Sequence, residues 1–243
     1  MMGTSRSRLS YKDRISHKKR RFRFLGIILL MAVLYILVTE LLIQPWVLGS
    51  QSMAPSYPRG ARLVVMPYLL RNSSGLRNPP ERGDLVTIHP PYVKSPSWIA
   101  RILHPLVRFV SFQAYSPGKG FVEEWEDGVS FKRVIAVPGD TVKMENFVAY
   151  VKSASSDFFL SEFEMSGIGY DIQAPKLPPG WGPDLPLSGT IPPLQLQEGE
   201  YFVLGDNRGA SNDSRYWGAL EEEAINSRVL FAYWPPKSFG LPR

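Results

Sequence analysis

Two serines at alternate positions, Ser50 and Ser52, lie in the stretch Gly-Ser-Gln-Ser-Met-Ala-Pro that covers residues 49–55. In an extended segment, alternate side chains point to the same face, so both hydroxyls would meet at one site. A serine hydroxyl acts as a nucleophile when a neighbouring base removes its proton. Because serines before a proline are also common in ordinary loops, this stretch needs a partner elsewhere in the chain to indicate catalysis.

Histidine is the usual base for a serine nucleophile, but the three histidines of this chain are poorly placed. His17 lies in a basic N-terminal tail, His104 lies in an amphipathic segment, and His89 directly follows a predicted strand. A Ser-His-Asp triad that uses His89 stays open as an alternative.

Lysine is the other side chain that can serve as the base, provided that its amine is neutral. Lys132 lies in a strand-like run, and on strict alternation it shares a face with Val134 and Ala136, whereas Arg133 points the other way. Burial among apolar side chains would disfavour the charged amine and lower its pKa. The alternative is an ordinary lysine on a solvated strand face.

The N-terminal part of the chain has the composition of a basic tail followed by a membrane anchor. Residues 1–23 contain nine of the 28 basic residues and one of the 22 acidic residues, and residues 24–44 are largely apolar, with Glu40 near their end. About twenty helical residues span the ~30 Å hydrocarbon core of a bilayer. The positive-inside rule then predicts a single-pass protein with a cytoplasmic N-terminus and an extracytoplasmic domain over residues 45–243. A cleaved signal peptide and a tail that binds nucleic acid are the alternatives.

The rest of the chain predicts many short strands and turns, because proline (22) and glycine (20) are plentiful. The absence of cysteine excludes disulfides, thiolate catalysis and cysteine-based zinc sites. Residues 94–128 form an insertion whose amphipathic helical spacing suits either a membrane surface or the protein's own core. Residues 152–198 predict a loop-rich cap. We expect strands at residues 61–66, 131–137, 201–204 and 228–234, a turn followed by a strand within residues 83–88, and one return strand that runs through Tyr150 after the turn at 138–140.

Four stretches, taken in order along the chain, resemble the type I signal peptidases, the membrane-anchored Ser/Lys proteases that remove signal peptides from exported proteins. They are residues 50–55, Gly83-Asp84-Leu85-Val86, residues 132–140, and residues 205–218, which begin with Gly-Asp-Asn-Arg and end with Trp-Gly. One such stretch is weak evidence, whereas four behind an anchor of the right orientation are specific. The resemblance implies a mostly β fold, with antiparallel sheets that form a barrel-like catalytic core after one transmembrane helix.

The resemblance also implies a role for each matching residue. Ser52 matches the nucleophile, Lys132 the general base, and the Ser50 hydroxyl an oxyanion donor beside the Ser52 N–H. Ser211 matches a serine that orients the lysine amine. Four charged residues match groups that brace the site: Arg133, Asp206, Asp213 and Arg215.

The partners that the resemblance implies are signal-peptide-bearing precursor proteins and the lipid bilayer of a bacterial inner membrane, a thylakoid or an organelle. It implies no nucleic acid, no metal and no organic cofactor. Three features depart from the family: Ser56 stands where many members have threonine, the insertion at 94–128 is longer than expected, and residues 152–198 replace a larger accessory domain.

Two hypotheses from other functional classes remain open. One is a catalytically silent, membrane-anchored β scaffold that binds exported chains. The other is a soluble Ser/Lys autoprotease that regulates nucleic acid through its basic tail. Within the enzyme class, a relative that processes one dedicated substrate is also open.

Overall fold

The computed structural model describes residues 11–41, 44–68, 71–72, 75–76, 78–89, 129–182, 185 and 189–242. The predicted insertion at 94–128, with its amphipathic segment, lies outside the described residues, as does the start of the basic tail.

A long helix, α1 (Tyr11–Leu41), covers most of the predicted anchor. The helix ends before Gln44, which already belongs to the first strand and pairs with Val65. Among the residues that the structure describes, no helix is both long enough and apolar enough to cross a membrane.

The described strands fall into two main antiparallel sheets and a small hairpin, with two short helices beside them. The strands are β1 (Gln44–Val47), β2 (Arg62–Pro67), β3 (Arg71–Asn72), β4 (Gly75–Leu76), β5 (Leu85–Ile88), β6 (Ser130–Ala136), β7 (Thr141–Glu145), β8 (Val148–Lys152), β9 (Leu160–Ser161), β10 (Ile191–Gln195), β11 (Glu200–Leu204), β12 (Leu220–Glu221) and β13 (Ile225–Trp234). The short helices are α2 (Glu162–Ser166) and α3 (Ser214–Trp217), and single 3-10 turns cover Glu222–Ala224 and Pro236–Ser238.

Seven strands form the larger sheet in the order β1-β2-β13-β5-β6-β11-β12. Strand β6 is buried along its whole length and lies between β5 and β11. Its register places Lys132 opposite Val86 on β5, and Arg133 opposite Leu204 on β11. The mostly β, antiparallel prediction is confirmed. A closed, barrel-like core is not shown, because β1 and β12 are the edges of this sheet as described.

The smaller sheet has the order β10-β7-β8-β9 and corrects the prediction of a single return strand through Tyr150. Glu145 pairs with Val148 across a two-residue turn, so the segment folds into two strands, β7 and β8. Both turn residues, Asn146 and Phe147, have positive φ angles of 50° and 67°. Positive φ at both central positions is the geometry of a tight hairpin, but phenylalanine gives no sequence signal for it.

The cap at 152–198 is more regular than its composition predicts, since it contains β9, α2 and β10. The α2 helix begins at a capping box in which the Ser161 side chain accepts from the Glu164 N–H, and the Glu164 carboxylate accepts from the Ser161 N–H. The capping box stabilises the first turn of α2. The first residue of this turn, Glu162, is a buried carboxylate that is 2% exposed.

One apolar cluster joins the serine stretch to the lysine strand. Met53, which follows Ser52, and Phe131, which precedes Lys132, are both buried in it with Tyr57 and Leu63. Burial of such side chains stabilises the fold by about 1.5–3 kcal/mol each. The core therefore holds the two chemically interesting stretches against the same set of side chains.

Candidate active site

The two serines meet through a turn and not through an extended segment. The Ala54 N–H donates to the Gln51 carbonyl at 3.0 Å, which closes the turn after β1. The Ser50 hydroxyl lies 3.1 Å from the Ser52 Oγ, and the Ser52 N–H donates to the Ser50 Oγ at 3.1 Å. Ser52 is completely buried in this arrangement. The expectation that both hydroxyls share one site therefore agrees with the geometry, although the backbone conformation differs from the predicted one.

Lys132 is 1% exposed, although it carries an amine. Its Nζ donates to the Phe131 carbonyl at 3.1 Å and also to the Ser130 Oγ. Both acceptors are uncharged oxygens. Ser130 is a residue that the sequence analysis missed, and the signal that could have found it is its position two residues before the lysine on the same strand face.

Gly205 is the point at which the separate stretches come together. It directly follows Leu204, which pairs with Arg133, so the chain leaves β11 at the level of Lys132. A Cβ atom at Gly205 would lie 2.7 Å from the Ser52 carbonyl oxygen and 2.2 Å from the Ser211 Oγ. Only glycine leaves room for this approach of backbone to backbone. The structure thus packs Ser52, Ser211 and the lysine strand around one residue.

Ser211 is buried but does not hold the lysine amine in this structure. Its Oγ has no hydrogen-bond partner among the described residues, although Ser211 was expected to orient Lys132. The amine is instead bonded to Ser130, on its own strand.

Arg133 and Asp206 form a fully buried ion pair beside the site. The arginine Nε donates to Asp206 Oδ1 at 2.9 Å and its Nη2 donates to Oδ2 at 2.7 Å, which is the strong bidentate geometry. Burial alone would lower the pKa of Arg133, but the adjacent Asp206 carboxylate reverses this effect and the pKa is raised. Arg133 also donates to the Gly83 carbonyl and lies 3.9 Å from the centre of the Tyr170 ring. The pair therefore links three of the four sequence stretches.

Asp213 and Arg215 brace the backbone on the other side of Gly205. Asp213 accepts from the Gly205 N–H at 3.0 Å and from the Arg215 Nε at 2.7 Å. Arg215 in turn donates to the carbonyls of Arg208 and Ser211, at 2.7 and 3.2 Å. The two residues therefore act on backbone positions around Gly205.

A second buried ion pair, Glu162–Arg208, was not predicted. Arg208 donates to both oxygens of Glu162, at 2.9 and 2.5 Å, and its Nε donates to the Gly205 carbonyl at 3.0 Å. The Tyr170 hydroxyl also donates to Glu162 at 2.6 Å. Arg208 lies in the quoted Gly-Asp-Asn-Arg stretch, but Glu162 comes from the cap, where the composition indicated loops. Both backbone groups of Gly205 are consequently held by buried charged side chains.

Comparison with known proteins identifies the family of this chain. A family model described as signal peptidase, peptidase S26 matches residues 21–234. A probable signal peptidase I-1 of Synechocystis is 28% identical over 214 residues, which cover 88% of this chain and 83% of that protein. Signal peptidase IB of Staphylococcus aureus is 27% identical over 227 residues, which cover 91% of this chain and 94% of that protein.

Among solved structures, a signal peptidase I from Enterococcus faecalis is 22% identical and covers 61% of this chain and 94% of its own, with a TM-score of 0.31. This structural likeness is too low to carry weight. The match to the family model spans most of the chain, and all four quoted stretches lie within the matched residues. The resemblance to type I signal peptidases is confirmed: the chain belongs to the signal peptidase family S26 and is a serine endopeptidase.

Proposed function

We propose that this chain is a membrane-bound endopeptidase that removes N-terminal signal peptides from exported precursor proteins, with Ser52 as nucleophile and Lys132 as general base. The observation that carries the proposal is the burial of both residues, with Ser52 against Gly205 and the lysine amine bonded to the uncharged oxygens of Ser130 and Phe131. The names of the relatives support the substrate class, since both are signal peptidases.

The chemistry follows from what burial does to an amine. Removal from water disfavours the charged ammonium, so a neutral Lys132 can accept the proton of the Ser52 hydroxyl. Ser52 then attacks the scissile carbonyl, the peptide C–N bond breaks, and the protonated Lys132 gives its proton to the leaving amine, so that an acyl-enzyme forms and Lys132 is neutral again. The same amine next takes a proton from water, which attacks the ester, and Ser52 leaves with that proton.

The oxyanion of each tetrahedral intermediate would be bound by the Ser50 hydroxyl and the Ser52 N–H. In the free enzyme these two groups are occupied, because the hydroxyl bonds to the Ser52 Oγ and the N–H bonds to the Ser50 Oγ. Substrate must therefore replace both of these bonds. Once these donors are redirected to the substrate oxygen, they stabilise the negative charge that develops on it.

The surface of α1 supports the membrane part of the proposal. Ten apolar side chains between residues 22 and 34 are 45–73% exposed. A helix that is apolar on every side needs an apolar environment, and lipid provides one. With the basic residues on its N-terminal side, this helix would place the N-terminus in the cytoplasm and the catalytic domain outside it. The substrate would be a precursor at the same bilayer, with small residues at the first and third positions before the cut.

Incubation of the full chain in lipid vesicles with a model precursor that bears an Ala-x-Ala site tests the proposal. We expect cleavage by the wild type and a loss of at least about 10³-fold in kcat for Ser52→Ala and for Lys132→Ala. Ser153→Ala and Lys176→Ala are matched control substitutions at residues away from Gly205, and they should keep wild-type rates. A scaffold would keep its function in both test variants, and an autoprotease of the soluble type would stay in the soluble fraction on centrifugation. Either result would refute the proposal.

A further inference from the structure

Ser130 stands in the position from which a side chain can hold the lysine amine. It is the first residue of β6, it is 4% exposed, and its register with Ile88 on β5 fixes its backbone in the middle of the seven-stranded sheet. Because side chains two residues apart share a strand face, the hydroxyl of Ser130 reaches the amine of Lys132 directly.

Two hydrogen bonds tie the amine of Lys132 to its own strand. A neutral amine has two N–H groups and one lone pair. The Ser130 Oγ and the Phe131 carbonyl accept one hydrogen bond each. Because these two bonds anchor the amine to its own strand, rotation about the terminal carbon–nitrogen bond is restricted. A general base needs this restriction, since an error of about 1 Å in position can cost 10²-fold in rate.

Ser211, which the family resemblance matches to the role of orienting the lysine, makes no hydrogen bond to the amine. The Ser211 Oγ is buried near Gly205 and has no hydrogen-bond partner in the described part of the chain. Ser130 is therefore bonded to the amine while Ser211 is not.

We propose that Ser130 is the residue that positions the Lys132 amine for proton transfer in this enzyme. The inference rests on the proposed Ser52/Lys132 mechanism. Ser130 is a positioning residue, since it acts through Lys132 and makes no contact with the scissile bond. Its removal should lower kcat and leave KM nearly unchanged, because substrate binding does not depend on the direction of the amine.

Threonine and valine at position 130 form a matched pair for the test. The two side chains have similar volume, but only threonine keeps the hydroxyl. With a soluble peptide substrate, we expect Ser130→Val and Ser130→Ala to lower kcat about 10- to 100-fold with KM within about twofold of wild type. Ser130→Thr should keep most of the activity. Ser227→Ala is the control, because Ser227 is another buried serine of the same sheet whose hydroxyl bonds to Thr87 and not to the lysine.

Ser211→Ala is measured beside these variants. We expect a smaller loss than that of Ser130→Ala. Equal activity of the threonine and valine variants, or a kcat of Ser130→Ala within about twofold of wild type, would overturn the inference, as would a larger loss for Ser211→Ala. Activity in Ser52→Ala or Lys132→Ala would instead refute the mechanism itself, so the two failures are distinguishable. If Ser130→Ala does not fold, the threonine and valine pair still decides.

Discussion

The backbone N–H of Asn207 donates a 2.8 Å hydrogen bond to the carbonyl oxygen of Ser52. The Asn207 side-chain amide also donates to the carbonyl of Gln51, at 3.2 Å. Two stretches that are far apart in the sequence are thus joined at Ser52, through main-chain and side-chain hydrogen bonds. The position of Ser52 therefore depends on the backbone path of residues 205–208 and not only on its own turn.

Gly205→Ala should disturb this path directly. The added Cβ would lie 2.7 Å from the Ser52 carbonyl oxygen, which is backbone and cannot move aside cheaply. We expect a loss of about 1–3 kcal/mol in the free energy of unfolding, together with a large fall in kcat. Gly169→Ala is the matched control, since a Cβ at Gly169 would meet nothing within 4 Å. Urea unfolding and peptide cleavage measure both effects, and equal behaviour of the two variants would contradict the close approach.

The Arg133–Asp206 pair should be costly to break. Asp206→Asn leaves a fully buried guanidinium without its carboxylate, and loss of one partner of a buried pair costs about 3–5 kcal/mol. Glu145→Gln removes one partner of the more exposed Lys143–Glu145 pair and should cost less than about 1 kcal/mol. Chemical denaturation of both variants checks the contrast. Similar losses in the free energy of unfolding for the two substitutions would contradict the prediction that burial makes the Arg133–Asp206 pair more costly to break.

Asp84 should give the stability of the protein a defined dependence on pH. Burial raises the pKa of its carboxyl above 3.8, although the Glu81 N–H and Arg228 both favour the charged form. The native state therefore binds this proton more tightly than the unfolded state does. The contribution to the free energy of unfolding is present at acidic pH and is lost as the pH rises from about 3.8 through the raised pKa.

Asp84→Asn has no such titration, so its stability relative to the wild type should increase over that same pH range. Urea unfolding of both proteins between about pH 3.5 and 7 measures the difference. A difference that stays constant or falls with pH would show that the native carboxyl does not have a raised pKa.

Removal of residues 1–43 should affect two substrates differently. The deletion leaves β1 intact, since Gln44 is its first residue. If α1 holds the enzyme at the bilayer, its loss lowers the effective concentration of enzyme around membrane-bound precursors, but not around a soluble peptide. We expect a much larger fall in kcat/KM for a precursor in vesicles than for a soluble peptide in detergent. Equal losses for both substrates would count against the anchor.

Strands and site stretches were predictable because their signals are local. The alternation around Lys132 and the Pro-Gly-Asp turn after it predict β6 and its end, and the core burial of Lys132 agrees with the apolar neighbours in its sequence. Asp213 accepts from the Gly205 N–H within its own stretch, whereas Asp206 bonds to the Arg133 side chain in another stretch.

The interactions that were missed depend on contacts between distant segments. The partner of Arg208 is Glu162, which lies in the cap, and no local pattern connects the two. The turn at Asn146 and Phe147 places phenylalanine at a positive φ, where burial of its ring against Gly189 outweighs the backbone preference. The two-residue spacing of Ser130 from Lys132 predicts that their side chains share a strand face. The family motif, however, matches Ser211 to the role of orienting the lysine.

The place of β13 in the larger sheet has a consequence for biosynthesis. This strand lies between β2, which adjoins the serine turn, and β5, which pairs with the lysine strand, so it joins the two halves of the sheet. It is formed by residues 225–234, which are synthesised after all the other strands that the structure describes. The ribosome therefore releases α1, Ser52 and Lys132 before it supplies the strand that joins the two halves of the sheet, and the nascent chain should have no proteolytic activity until translation has passed residue 234.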